Sequence, residues 1–182
     1  MRSLSKFIFF TMMGWKIEGS FPDLKKYVII AVPHTSWHDF YIGLLLRNIA
    51  GIDINYVGKK ELFKPPMGWY FRMTGGVPVD RAKRSNMVDA VVDIFNEKDE
   101  FRLTLAPEGT RKKVDTWKTG FYHIAKGAGV PIVMVAFDFG KRTIKISEPF
   151  HPTDDQEADF QYMYSFFKGV KGKVAANSFD PS

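Results

Sequence analysis

Short apolar runs alternate along this chain with segments whose apolar residues recur at helical spacing, and this alternation restricts the folds open to it. Strand-like runs lie at residues 27–32, 101–105 and 130–137, while helical stripes lie at residues 37–49 and 87–95. Strands that alternate with helices are typical of α/β proteins. We therefore predict an α/β fold with a central mixed, largely parallel sheet flanked by helices, and with functional residues in the loops at the strand ends.

Length and composition indicate one domain with a large core. The chain has 182 residues, of which 45% are hydrophobic and 17 are Phe. Residues 1–182 are therefore predicted to form a single domain that buries roughly 70% of its unfolded surface. The sequence contains no Cys, which excludes disulfides, thiolate metal sites and cysteine nucleophiles and fits a reducing compartment.

The sequence lacks the motifs of several common kinds of enzyme site. No cluster of His, Glu and Asp has the spacing of metal ligands. There is no glycine-rich nucleotide loop and no G-x-S-x-G nucleophile motif. We therefore expect neither a metal nor a cofactor.

The net charge of +6 is unevenly distributed. Residues 59–84 contain seven Lys or Arg against two acidic residues. A basic region suits a phosphorylated substrate, an anionic membrane or a nucleic acid, although a solvated basic face has the same composition. The basic and aromatic residues do not follow an RNA-binding signature, so we expect no nucleic acid partner.

Residues 1–14 are predicted to form an amphipathic helix. The apolar-rich stretch at residues 7–15 would make only about 18 Å of helix even if extended back to Leu4, against a hydrocarbon core of about 30 Å, so it is too short to span a bilayer. Arg2 and Lys6 lie beside its Phe and Met residues. The helix could lie in the interface of an anionic membrane or pack on the core, and the sequence leaves both alternatives open.

One histidine and one carboxylate, His34 and Asp39, lie five residues apart directly after the first strand-like run. A neutral imidazole oriented by a carboxylate is a ready general base near neutral pH. Residues five apart on one helix differ by about 500° in direction, so the pair cooperates only if His34 lies in a loop and Asp39 in the first helical turn. Pro33 can end the strand and Ser36 can cap a helix that begins at Trp37, which permits this arrangement.

The same residues allow a purely structural interpretation. Ser36 to Asp39 matches the capping box [ST]-x-x-[DE], in which Asp39 would only complete the helix cap. His38 also neighbours Asp39, but its helical position would point it away from the loop, so we favour His34 as the base. Because one short motif cannot separate the two interpretations, the other motifs of the chain have to decide.

Three further blocks follow in order: G-G-V-P-V-D-R at residues 75–81, P-E-G-T-R at residues 107–111 and V-P-I-V-M-V at residues 130–135. Together with H-x4-D at residues 34–39, they resemble the glycerolipid acyltransferase superfamily, typified by bacterial 1-acyl-glycerol-3-phosphate acyltransferases. The resemblance covers residues 27–135, the motif-bearing core. The basic segment at residues 59–63 is similar to one that such enzymes carry between the first two blocks.

The resemblance implies an enzyme that moves a fatty acyl group from a thioester, either acyl-CoA or acyl carrier protein, to the hydroxyl of a lysophospholipid. The expected acceptor is 1-acyl-glycerol-3-phosphate and the expected product is phosphatidic acid. It implies that His34 is the general base and that Asp39 holds its tautomer. A peripheral position on the cytoplasmic face of an anionic membrane would give access to such substrates.

The resemblance also implies a set of substrate-binding residues. The Arg side chains of this set would grip the phosphate of the acceptor, because guanidiniums match phosphate oxygens well. The turn that contains the glycine would shape the acceptor site. The set is Lys60, Arg81, Glu108, Gly109, Thr110 and Arg111.

The chain departs from the family pattern in two places. Ala106 precedes the P-E-G-T-R block where a Phe is usual, which would alter the packing of acceptor or acyl chain. The N-terminal arm is also shorter than a full membrane-anchoring pair of helices. Two other functions stay open: a lipid-binding relative without catalysis, and a thioesterase in which water replaces the acceptor.

Overall fold

The computed structural model describes residues 2–79 and 87–180 of the chain. The strands are β1 (Lys16–Glu18), β2 (Lys26–Val32), β3 (Tyr56–Lys59), β4 (Gly76–Val79), β5 (Phe101–Leu105), β6 (Ile132–Asp138) and β7 (Thr143–Ile146). The helices are α1 (Arg2–Lys6), α2 (His38–Ala50), α3 (Gly68–Met73), α4 (Met87–Glu97), α5 (Gly120–Ala128) and α6 (Gln156–Phe167). A π-helical turn (Phe7–Met12) follows α1, and short 3₁₀ turns lie at Lys60–Phe63 and Ala175–Asn177.

In the described part of the chain, five strands form one sheet in the order β1-β7-β6-β2-β5. All neighbours are parallel except β6 and β7, so the sheet is mixed but largely parallel. The parallel pair β3 and β4 continues it, because Asn55 bridges to Leu103 of β5. The predicted α/β fold class is therefore confirmed.

The core lies on both faces of the sheet because successive strand residues point to opposite sides. On one face, Val28 and Ile30 of β2 pack with residues of α4, α5 and α6. On the other face, Tyr27 and Ile29 pack with α2 and with Phe9 of the π-helical turn. Since β2 and β6 are covered on both faces, their sequences are almost continuously apolar, as expected for central parallel strands.

Most predicted elements lie within two residues of their observed bounds. The sequence T-D-D-Q at residues 153–156 matches a capping box, which predicts that Thr153 caps the last helix, and this prediction is wrong. Asp155 caps α6 instead, and its carboxylate accepts the N–H of Ala158 at 3.0 Å. The Thr153 hydroxyl contacts Asp159 at 2.9 Å, so it is engaged elsewhere.

The N-terminal segment has one packed face and one exposed face. Phe9 is fully buried, and the Arg2 guanidinium donates to the carbonyl of Ile49 at the end of α2 at 3.0 Å. The opposite face leaves four apolar side chains exposed to solvent: Leu4, Phe7, Phe10 and Met12. Packing on the core therefore accounts for one side of this segment only. None of the helices in residues 2–79 and 87–180 is long and apolar enough to cross a membrane.

Candidate active site

The His34 loop leaves the carboxyl end of β2, the strand paired on both sides by parallel neighbours. Because β5 lies beside β2 and runs parallel to it, this loop lies next to the loop that follows β5, which contains the P-E-G-T-R block. The carboxyl ends of parallel strands are where α/β proteins place their functional residues. The structure thus assembles two motifs that are far apart in the sequence.

His34 lies in the loop and Asp39 in the first turn of α2, as the spacing of the pair requires. The imidazole Nδ1 is 3.1 Å from Asp39 Oδ2, and the His34 side chain is 28% exposed while that of Asp39 is 5% exposed. A carboxylate beside Nδ1 favours the tautomer that carries its proton on Nδ1, which leaves Nε2 with its lone pair. The arrangement can therefore take a proton at Nε2.

The Asp39 carboxylate is held by backbone groups of the same loop. Its Oδ2 also accepts the N–H of Thr35 at 2.8 Å and the N–H of Ser36 at 2.9 Å. These bonds hold the loop ahead of α2 against Asp39, which also contacts His34. The expected helix cap is wrong: α2 begins at His38, its N-cap residue is Trp37, and no side chain caps it. The capping box from Ser36 to Asp39 is therefore not formed, although the Asp39 carboxylate accepts the Ser36 N–H.

His38 turns away from Asp39. Its ring stacks on Trp37, with centroids 4.1 Å apart, and its Nδ1 lies 2.9 Å from the Ser36 hydroxyl. The preference for His34 as the partner of Asp39 agrees with this geometry.

Glu108 is buried behind the His34 loop, with 3% of its surface exposed. Its Oε2 accepts the backbone N–H of His34 at 2.7 Å. Burial raises the pKa of Glu108 to about 7, and the hydrogen bond from His34 partly opposes this rise. Sequence reasoning placed Glu108 in the acceptor site and missed this contact, which no local pattern encodes.

The turn after Glu108 depends on a glycine. Gly109 has φ of +65°, and a Cβ there would lie 2.7 Å from the Lys118 ammonium nitrogen. Thr110 and Arg111 follow on the exposed part of this turn, and the Thr110 hydroxyl accepts the N–H of Lys112 at 3.3 Å. The Arg111 side chain is therefore presented to solvent beside the His34 loop.

A pocket of about 290 Å³ lies beside the His34–Asp39 pair. Its floor is the face of the sheet that carries Ile29 and Val135, and its wall is one side of α2. Six residues of α2 line it, and four of them recur at helical spacing: Phe40, Gly43, Leu44 and Arg47. That spacing is a helical stripe visible in the sequence, so it could have been recognised as a pocket wall. Ala106 lines the pocket as well.

The other predicted site residues within residues 2–79 and 87–180 do not line this pocket. Lys60 lies on the 3₁₀ turn after β3 and lines a second cavity of about 260 Å³ with Lys64 and Arg72. Arg81 lies outside the described residues. No group of three His, Asp or Glu side chains in the described part of the chain is arranged as metal ligands.

Comparison with known proteins agrees with the resemblance seen in the sequence. The sequence profile named Acyltransferase matches residues 16–138. A 1-acyl-sn-glycerol-3-phosphate acyltransferase of Haemophilus influenzae is 31% identical over 141 residues, which cover 69% of this chain and 55% of that protein. The protein of the same name in Salmonella typhimurium is 34% identical over 134 residues, which cover 68% of this chain and 53% of that protein. The chain spans about half the length of the curated relatives it matches.

The fold has a counterpart among solved structures. The 1-acyl-sn-glycerophosphate (LPA) acyltransferase PlsC from Thermotoga maritima matches with a TM-score of 0.63 and 24% identity, over 93% of this chain and 76% of that one. This likeness concerns the fold. Together with the profile match and the relatives above 30% identity, it confirms the resemblance: the chain belongs to the Acyltransferase family, that of the glycerolipid acyltransferases.

Proposed function

We propose that this chain transfers a fatty acyl group from an acyl thioester to the free hydroxyl of a lysophospholipid, with 1-acyl-glycerol-3-phosphate as acceptor and phosphatidic acid as product. The donor is acyl-CoA or acyl carrier protein. One observation carries the proposal: the His34–Asp39 pair, with Nδ1 and Oδ2 3.1 Å apart, lines an apolar pocket. The names of the relatives support the same reaction class.

The chemistry needs a base, because a thioester is already activated toward attack. The acceptor hydroxyl gives its proton to His34 Nε2 while its oxygen attacks the thioester carbonyl carbon. The tetrahedral intermediate then collapses, the C–S bond breaks, and the leaving sulfur takes the proton from His34. The products are an ester and a free thiol. Asp39 stabilises the transient imidazolium and keeps Nδ1 protonated throughout.

The pocket beside His34 suits the acyl chain of a substrate. It is lined mainly by apolar side chains, among them Ile29, Leu44 and Val135. Each methylene buried there contributes about 0.8 kcal/mol, so a pocket of this kind selects acyl length by its depth. We assign this pocket to an acyl chain and the exposed turn at Arg111 to the acceptor phosphate.

Arg111 supplies a permanent cation whose planar donors suit a phosphate. Its turn lies beside the His34 loop, since Glu108 contacts the His34 backbone at 2.7 Å. Lys60 and Arg81 remain candidates for the same role by resemblance. The reaction requires neither a metal nor a cofactor, because proton transfer and an activated acyl donor complete it.

We also propose that the protein binds peripherally to an anionic membrane, where its acceptor resides. Exposed apolar side chains support this proposal at the N-terminal segment, where Phe7 is 54% exposed, and near the pocket, where Trp37 is 57% and Tyr41 is 58% exposed. On α3, Trp69 is 65% exposed and lies on the same short helix as Arg72. Aromatic side chains beside cations are favourable at a lipid interface.

The decisive experiment measures thiol release from a long-chain acyl-CoA, with and without 1-acyl-glycerol-3-phosphate, by the wild type and His34→Ala. We expect acceptor-dependent release that falls about 10²–10⁴-fold in the variant. His123→Ala is the matched control, because His123 is an exposed residue of α5. Release without acceptor would indicate a thioesterase. A wild type that binds anionic lipid but releases no thiol would contradict the proposed reaction and favour a binding module.

A further inference from the structure

Residues 171–179, which we call the C-terminal strap, contact both motif-bearing loops of the candidate active site. The backbone N–H of Val174 donates to the Thr35 hydroxyl at 3.2 Å. The side-chain amide of Asn177 donates to the carbonyl of Arg111 at 3.0 Å. The strap lies beyond residues 16–138, the part that the family profile matches. These contacts therefore belong to a segment that no motif predicts.

We propose that the C-terminal strap is a positioning element that sets the His34 base through Thr35 and the Arg111 turn through Asn177. The proposal rests on the proposed function for the roles of His34 and Arg111. What it adds is that one segment outside the motifs holds the His34 loop and the Arg111 turn in fixed positions relative to each other.

Two further contacts connect Thr35 to His34 through Asp39. The Thr35 N–H donates to Asp39 Oδ2 at 2.8 Å, and the same oxygen lies 3.1 Å from His34 Nδ1. Gly172 packs directly against Thr35: an added Cβ would lie 2.6 Å from Thr35 Oγ1 and 2.7 Å from Cγ2. A side chain at Gly172 would thus displace the residue whose backbone holds Asp39.

The contact with Arg111 acts on the backbone of the acceptor turn. Fixing the carbonyl of Arg111 restricts the directions in which its guanidinium can project. Orienting a binding group before the substrate arrives lowers the entropy lost on binding. Asn177 therefore contributes to acceptor affinity without touching the acceptor.

The strap is anchored firmly enough to act in this way. Phe179 is 4% exposed, and its ring centroid lies 4.9 Å from that of Trp117 and 5.1 Å from that of Tyr164. Within the strap, the Gly172 N–H donates to the Ser178 hydroxyl at 2.9 Å. At its other end, the Lys171 carbonyl accepts the N–H of Phe139 at 2.8 Å. Both ends are thus tied to the core while the middle contacts the loops.

The first test is Gly172→Ala, with Gly120→Ala as the matched control because an added Cβ at Gly120 meets no atom within 4 Å. We expect Gly172→Ala to lower kcat about tenfold or more, since small displacements of a reacting group are costly, and to leave the acceptor KM within about twofold. The ¹⁵N shifts of labelled His34, assigned with His34→Ala, should show loss of the single Nδ1–H tautomer. A merely destabilising change would lower the melting temperature without altering this tautomer.

The second test is Asn177→Ala together with Asn177→Leu, an apolar side chain of similar shape that lacks the amide donor. We expect the acceptor KM to rise about fivefold, the equivalent of one lost hydrogen bond, with kcat within about twofold. Asn96→Ala, an exposed position at the end of α4, is the control. General destabilisation would not lower kcat alone in the Gly172 variant and raise the acceptor KM alone in the Asn177 variants.

The outcomes separate this proposal from the proposed function. Wild-type kinetics in both strap variants, with an active wild type, would overturn the strap and leave the acyltransferase intact. A wild type without acceptor-dependent thiol release would overturn the proposed function. The His34 tautomer in Gly172→Ala would still test the strap proposal, because an unchanged tautomer in that variant would overturn it.

Discussion

Glu108 and His34 lie 74 residues apart in the sequence, yet the Glu108 carboxylate accepts the backbone N–H of His34 at 2.7 Å. The contact joins the loops that follow two neighbouring parallel strands, β2 and β5. Burial raises the pKa of Glu108 to about 7 from an ordinary value of 4.5. This carboxyl group therefore changes its charge near neutral pH at the centre of the site.

The raised pKa predicts how stability depends on pH. Because the pKa is higher in the folded than in the unfolded protein, the folded state binds more protons between about pH 4.5 and 7. The contribution of Glu108 to the free energy of unfolding should fall as pH rises through this range, by on the order of 3 kcal/mol, and level off above it. Glu108→Gln keeps an oxygen acceptor for the His34 N–H and should abolish this part of the dependence.

Urea unfolding of the wild type and Glu108→Gln at several pH values between about 4.5 and 8 measures the effect. Glu148→Gln is the control, because Glu148 is exposed. The same pH slope in wild type and Glu108→Gln would contradict the assignment of the raised pKa to Glu108.

Ala106 should determine how long an acyl chain the pocket accepts. Ala106→Phe adds a ring to the wall of a pocket of about 290 Å³, so longer chains should no longer fit. We expect the preferred acyl-CoA to become shorter, with kcat/KM falling about fourfold for each methylene left outside. Competition between acyl-CoAs of different length measures this change. Ala158→Phe, at an exposed position of α6, should keep the wild-type preference, and equal preference in Ala106→Phe would contradict the acyl assignment.

Arg111 should act on acceptor binding more than on the chemical step. Arg111→Ala removes a charge-assisted contact with the phosphate and should raise the acceptor KM about 10- to 100-fold. Arg111→Lys should recover only part of the loss, because an ammonium lacks the planar donor pair. Steady-state kinetics with varied 1-acyl-glycerol-3-phosphate measure both variants. Lys112→Ala, an exposed neighbour, is the control, and an unchanged KM in Arg111→Ala would argue against the phosphate role.

The two faces of the N-terminal segment predict different effects of similar substitutions. Phe7 and Phe10 are 54% and 41% exposed, so Phe7→Ser with Phe10→Ser should weaken binding to vesicles while leaving stability nearly unchanged. Phe9 is fully buried, and Phe9→Ala should lower the free energy of unfolding by about 3–5 kcal/mol.

Flotation with vesicles of phosphatidylglycerol and phosphatidylcholine measures the first effect, for which we expect roughly a tenfold weaker partition. Thermal or urea unfolding measures the second. Activity on a short-chain, water-soluble acceptor should survive the double substitution at Phe7 and Phe10. Full vesicle binding by that variant would assign membrane contact to another surface, such as the aromatic side chains of α2 and α3.

Local patterns predicted much of this molecule because they report local physics. The strand at residues 101–105 and the helical stripe from Met87 to Phe95 follow from the alternation or recurrence of apolar residues. The placement of His34 in a loop and Asp39 in a helical turn follows from their spacing of five and from Pro33. The wrong cap at Thr153 shows the limit of such rules: Asp155 offers an equally good carboxylate two residues later, and Thr153 has a tertiary partner in Asp159.

The sequence by itself determined the α/β class, the residues of the two motifs and their position in loops at the ends of strands. The contact of Glu108 with His34, the pocket between α2 and the sheet, and the strap across Thr35 and Arg111 were decided only by the tertiary structure. The reason is physical. Periodicity encodes which face of an element is buried, whereas the order of strands in the sheet decides which distant loops meet.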